Sequence, residues 1–206
     1  MDGAAESTDA ESGQRELDRV GGFSDGVFAV AITLLVLNIE VPQLSEGEKL
    51  TAALDDLVPD VTAYFIAFAV IGLFWYGHHK AWSRLQATSP RLVWSNLVLL
   101  SLIALMPFTT DLMGSYGDQS ISVVLFAANV GLAALADSHV DKVAFDAGLA
   151  APVSAGQRRA QLLTGRIRSL VFFASIPIAF ASPTLAQLSW LALLLLPWVG
   201  RRAAHY

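Results

Sequence analysis

The chain has no cysteine in its 206 residues, which excludes disulfides, thiolate metal sites and cysteine nucleophiles. Charge is also scarce: charged residues are 15% of the sequence, against about 25% in soluble domains. Apolar residues reach 54% and mean hydropathy is +0.54. A soluble globule of this size would carry too little polar surface to stay dispersed. The first residues, MDGAAESTDAESGQRELDRV, lack the basic start and apolar core of a cleaved leader. Their small, acidic composition predicts a disordered tail over residues 1–20. No sequence repeat is present, and no low-complexity tract beyond that tail. No Ser-His-Asp set, paired acidic site or phosphate loop assembles at a common depth, so catalysis is not expected. Nucleic acid is not expected as a partner.

What the sequence does hold is long apolar runs. Six stand out, at residues 23–39, 61–76, 92–108, 121–135, 167–180 and 185–199. A helix of about 20 residues crosses the hydrocarbon core of a bilayer. The pattern predicts an all-α integral membrane protein with a six-helix domain over residues 21–202 and a short C-terminal tail, 203–206. Ala181-Ser182-Pro183 reads as a tight turn between the last two spans. In a six-span arrangement, every one of the 13 Lys and Arg residues except Lys49 falls on one side. The positive-inside rule then puts both termini in the cytoplasm. Trp82, Trp94 and Trp198 fall near predicted span ends, where aromatic anchors belong. The acidic connection over residues 41–60 lies outside, with a short surface helix expected near 50–57. The basic stretch over 156–168 suits a solvated face meeting anionic headgroups, and membrane lipid is an expected partner.

The first span carries the chemistry. At about 100° per residue, Gly26, Val30, Thr33, Leu34, Leu37 and Val41 share one helical stripe. Asp25 and Ser24 lie more than about 100° from it. An ionisable residue at the start of a membrane span is costly to bury and marks a functional or structural network. In the six-span topology Arg19, Asp25, His78, His79 and Asn96 lie at one depth near the inner edge, and Trp75 shares a helix face with the two histidines. A polar cluster tying the first three spans together is expected there. By spacing alone, other readings stay open: the stripe suits a packing face as well as a pore lining. Either histidine suits an interfacial position, and Thr33 suits a bond back to the Ala29 carbonyl. A metal site is not expected, because adjacent histidines diverge by about 100° and no Glu-x-x-His pattern backs them.

Arg19-x-x-x-Phe23-Ser24-Asp25-Gly26-Val27-Phe28-Ala29 resembles the signature of the bacterial relatives of the endolysosomal potassium channel, transmembrane protein 175. The resemblance extends to Gly72-Leu73-Phe74-Trp75 with His78-His79, and to Asn96-Leu97 followed by Met106-Pro107-Phe108-Thr109. It covers the first half of the chain in motif and the second half in layout. It implies a potassium-permeable channel of the bacterial plasma membrane. Four copies would assemble as a homotetramer, the first helix of each lining a central pore that lacks a Thr-Val-Gly-Tyr-Gly carbonyl filter. By motif position Val30 would be the first hydrophobic constriction, Leu34 and Leu37 the layers beyond it, and Thr33 a hydroxyl layer for a partly dehydrated potassium ion. Arg19, Ser24, Asp25, Trp75, His78, His79 and Asn96 would form the supporting polar network. No cofactor is implied beyond the permeant ion. Glu40 and Asp111 or Asp118 would supply an acidic outer mouth.

A proton-coupled or cation secondary transporter, with Asp25 and the histidines as a relay, is the alternative. Carriers of that kind carry inverted repeats and helices broken at mid-depth, neither of which is visible here. A membrane scaffold with no flux is a third possibility, which single-channel recording would separate from both.

Overall fold

The structure, a computed structural model, describes residues 2–44, 46–47 and 49–190, with residues 2–10 as backbone alone. Among the described residues the chain is helical: α1 (Asp2–Leu34), a 3₁₀ turn (Leu35–Asn38), α2 (Leu50–Asp55), α3 (Val58–Trp82), α4 (Pro90–Ser115), α5 (Ser120–Asp146), α6 (Ala155–Ala181) and α7 (Pro183–Ser189). Five segments are long and apolar enough to cross a membrane: Glu11–Asn38, Leu50–Trp82, Pro90–Ser115, Ser120–Asp146 and Ala155–Ala181. The predicted sixth span begins with α7, and its remainder lies outside the described residues, as do Trp198 and the 203–206 tail.

Helix boundaries follow local chemistry. Ser89 caps α4 by accepting from the Leu92 amide at 3.2 Å, and Pro90 occupies the first turn, where no backbone donor is needed. Ser154 and Gln157 form a reciprocal capping box at the start of α6. Extended Ser182 alone separates α6 from α7; its hydroxyl caps Leu185 and Pro183 opens the new helix. The expected turn is there.

The start of the chain departs from expectation. Residues 2–20 continue α1 as helix where composition predicted a disordered tail. Glu11, Gln14, Arg15 and Glu16 favour helix, and Glu11–Arg15 pair at i,i+4. Leu17 is also buried, so tertiary contact holds this part of the helix.

α5 packs most extensively, against α4 and α6, while α1 lies on α3 and α4. One continuous core runs from Phe28, Leu35, Ile71, Phe74, Leu99 and Ile103 to Phe126, Phe172 and Trp190, and the rings of the last three lie 5.2–6.5 Å apart. At one end, the α3–α4 and α5–α6 connections are clipped together: the Gln86 amide donates to the Leu149 carbonyl and the Ala151 amide to the Arg84 carbonyl, both at 2.8 Å. Trp82 is another departure. It is not an interfacial anchor but buried, with its indole donating to the Leu17 carbonyl at 3.3 Å.

Candidate functional site

α1 divides cleanly around its axis. Leu17, Ser24, Phe28, Ala31 and Leu35 recur at helical spacing and are buried against the rest of the chain. The opposite arc is exposed: Phe23, Gly26, Val30, Thr33, Leu34 and Leu37. Val30 is 57% exposed and Leu37 71%. An arc this apolar, left open along a membrane-length helix, has no polar use in the isolated chain.

The 3₁₀ turn keeps the line going, because residues three apart eclipse in that geometry and set Leu37 over Leu34. Val41 does not join them. The helical run ends at Asn38 and Ile39 is extended, so the expected periodicity no longer applies at 41. Thr33 Oγ1 turns its hydrogen back to the helix, 3.0 Å from the Ala29 carbonyl and 2.9 Å from that of Val30. Its oxygen lone pairs remain on the exposed arc.

Behind this arc lies a hydrogen-bonded relay. His78 Nε2 lies 2.9 Å from Asn96 Oδ1; Asn96 Nδ2 donates to Ser24 Oγ at 2.9 Å; Ser24 Oγ donates to the Val20 carbonyl at 2.9 Å. Asn96 Oδ1 can only accept, so the imidazole donates from Nε2. All three side chains are buried. Asp25, one residue after Ser24, turns toward α3 instead, where Trp75 Nε1 donates to Oδ1 at 2.9 Å.

Stacked rings complete the wall. His79 lies on Trp75 at 5.4 Å, and His78 on Trp82 at 4.9 Å with an interplanar angle of 14°. Gly21 makes room for that second stack: a Cβ there would lie 2.9 Å from the Trp82 indole. Sequence reasoning missed Trp82, though its place four residues after His78 was a usable signal.

Arg19 stands apart from the relay. It is exposed and lines a recess of about 470 Å³ between α1 and α4, beside Asn96, Val93 and Phe23. Among the described residues it forms no ion pair with Asp25. Six of the seven expected network residues thus fall into two triads, Ser24–Asn96–His78 and Asp25–Trp75–His79, and the arginine stands outside both.

At the far end of α1, Asn38 Nδ2 donates to the Pro107 carbonyl at 3.0 Å and ties the 3₁₀ turn to α4. Glu40 and Asp111 line one recess of about 660 Å³ beside Leu37 and Val41. Asp118 does not line it. Asp60, from the start of α3, joins the pair instead, a residue that sequence reasoning left out. The Met106–Thr109 block is architectural: Thr109 Oγ1 donates to the Met106 carbonyl at 3.1 Å and accepts from Asn129 Nδ2 at 3.3 Å.

These features define the class: an all-helical, multi-pass membrane protein whose first helix is anchored by polar bonds on one side and bare and apolar on the other. Known proteins resemble this chain in sequence and fold. Residues 19–107, from α1 to the middle of α4, match the family model described as the endosomal/lysosomal potassium channel TMEM175. A protein of Streptomyces collinus named as a potassium channel is 33% identical over 190 residues, covering 86% of this chain and 90% of that one. Another potassium channel, from Chamaesiphon minutus, is 42% identical over 105 residues, about half of each chain. The crystal structure of a lysosomal potassium-selective channel TMEM175 homolog from Chamaesiphon minutus superimposes with a TM-score of 0.77 at 28% identity, covering 92% of this chain and 98% of that one. The chain belongs to the TMEM175 family, an ion-channel family and not a family of enzymes.

Proposed function

We propose that this chain is one subunit of a potassium-permeable cation channel whose pore is built from the first helix of each of four subunits. The observation that carries this reading is the bare arc of α1. Val30, Leu34 and Leu37 stand open along a helix that polar bonds hold from behind. Brought to a shared axis, each becomes a ring of four apolar side chains. Such rings stop permeation by dewetting, and a small widening restores a water column. Val30 is the first constriction, Leu34 and Leu37 are the layers beyond it, and Thr33 offers hydroxyl oxygens to a partly dehydrated potassium ion. Glu40, Asp60 and Asp111 concentrate cations at one mouth. The potassium preference rests on the relatives named as potassium channels.

The remaining architecture follows the same reading. A sixth span completes the subunit beyond α7, and the segregation of Lys and Arg keeps both termini in the cytoplasm. The bacterial plasma membrane is the corresponding location. Ser24, Asp25, Trp75, His78, His79 and Asn96 orient the pore helix without touching the ion, and Arg19 flanks them. The test is the reversal potential of the purified protein in planar bilayers under potassium and sodium gradients. Unitary currents reversing toward the potassium equilibrium potential are expected. Slow saturable flux without unitary steps would indicate a carrier, and silence would leave a scaffold; either result overturns the channel.

A further inference from the structure

A second polar site lies away from α1, in a recess of about 400 Å³ walled by α3, α5 and α6. Gly165 lets α5 and α6 close on each other, since a Cβ there would collide with Ser138 Oγ. That approach sets Arg168 of α6 beside Asp137 of α5, with Nη1 3.7 Å from Oδ2. The distance is too long for a hydrogen bond. Arg168 Nη1 and Ser138 Oγ are both buried with no hydrogen-bond partner among the described residues. Groups in that state call for an unmet partner. From the α3–α4 connection Arg84 reaches the same recess, held by one 3.4 Å bond to Gln161 Oε1, and from α3 Lys80 rises over the Tyr76 ring at 4.5 Å. Three cations thus face two carboxylates, Asp137 and Asp141, leaving one positive charge in excess.

We propose that this recess binds a phosphate group, with Arg168 and Arg84 supplying forked donors and Lys80 a point charge. The donor set suits phosphate: guanidinium N–H pairs match its oxygens two at a time. Asp137 flanks Arg168 and Gln161 holds Arg84, and the three cations outnumber the two carboxylates, which leaves a cationic surplus for the ligand. The recess lies at the end of the bundle where the α3–α4 and α5–α6 connections meet, the end that carries most of the basic residues. Basic pockets between membrane helices on that side are suited to anionic headgroups. The same chemistry would accept a free phosphate ion, and experiment separates the two sources.

The test uses the purified full chain in detergent, with binding read by native mass spectrometry and by the unfolding midpoint. The added ligands are phosphatidylglycerol, phosphatidylcholine or inorganic phosphate. Arg168→Gln strands Asp137 and risks misfolding, so the informative variant is Lys80→Gln/Arg84→Gln, which removes two exposed cations. Phosphatidylglycerol is expected to bind in preference to phosphatidylcholine, and to weaken about fivefold for each cation removed. Arg159→Gln/Arg166→Gln, which neutralises exposed cations elsewhere on α6, should leave the preference intact. Protection by inorganic phosphate that depends on Lys80 and Arg84 would also support the site and identify a soluble ligand. No preference for either phosphate source over phosphatidylcholine overturns the proposal. So does a preference that follows Arg159 and Arg166 in place of Lys80 and Arg84.

Discussion

Asn96→Leu removes the centre of a relay whose three side chains are 0–2% exposed. His78 Nε2–H loses its acceptor, and Ser24 Oγ loses the amide that donates to it while keeping its own bond to Val20. Two magnitudes decide the cost. Interhelical hydrogen bonds in membranes average about 0.6 kcal/mol, because separated helices find other partners. A buried donor left without any partner costs about 1–3 kcal/mol. The orphaned imidazole therefore dominates, and Asn96→Leu should destabilise by about 2–3 kcal/mol. His78→Phe alone strands Asn96 Oδ1 and should cost about 1–2 kcal/mol. The double variant removes donor and acceptor together, so its cost should fall short of the sum by about 1 kcal/mol or more. SDS-titrated unfolding of the four purified proteins, followed by tryptophan fluorescence, measures the cycle. Additivity within about 0.5 kcal/mol would mean that the contact carries no coupling energy, and the argument for the relay would fall.

In the proposed pore Val30→Ala and Leu34→Ala would each widen an apolar ring, and single-channel recording should show higher conductance or leak; unchanged currents in both would remove α1 from the pore. Asp25→Ala deprives the Trp75 indole of its acceptor and should lower the melting temperature of the purified assembly by the equivalent of about 1 kcal/mol, while Asp25→Asn, which retains a carbonyl oxygen, should recover most of it. If the asparagine variant is as damaged as the alanine one, the indole bond is not the reason Asp25 matters. Gly21→Ala drives a methyl group toward the buried Trp82 indole; overpacking of about 1–3 kcal/mol should outweigh the helix-propensity gain of about 1 kcal/mol. Gly13→Ala meets open space and should show only the gain, so equal melting shifts for the two would dismiss the close approach.

The parts of this molecule that depend on one coordinate were readable from sequence. Apolar length alone marks the spans, and the bilayer fixes the depth of each residue within them. That is why Arg19, Asp25, His78, His79 and Asn96 could be set at one level before any packing was known. What depends on rotation between helices was not readable. Trp82 sits at a span end, so its depth suits an interfacial anchor; only the facing of Gly21 shows that it turns inward. Arg19 has the right depth for the relay but the wrong side of α1, on the arc with Val30 and Phe23. The recess holding Asp137 and Arg168 needs the α5–α6 approach at Gly165, which no linear pattern signals. Val41 failed for a simpler reason: periodicity holds only while the helix does.

Apolar contacts alone could not set the orientation of α1. Between membrane helices there is little hydrophobic preference for one apolar face over another, since lipid tails receive Val30 and Leu34 as readily as Phe28 and Leu35. Adjacent polar residues break that indifference. Ser24 binds Asn96 of α4, and about 100° around the helix Asp25 binds Trp75 of α3. Two attachments in different directions define a rotation, as one could not. Turning α1 by a single residue would carry the Asp25 carboxylate away from the Trp75 indole and into the buried place of Ser24, against Asn96. A carboxylate taken out of water there, with one amide as its donor, costs several kcal/mol, more than any repacking of valine and leucine would return. The bare stripe therefore takes its direction from the polar pair behind it. A defect in Ser24 or Asp25 should reach the stripe as a change of angle before it reaches it as a change of chemistry.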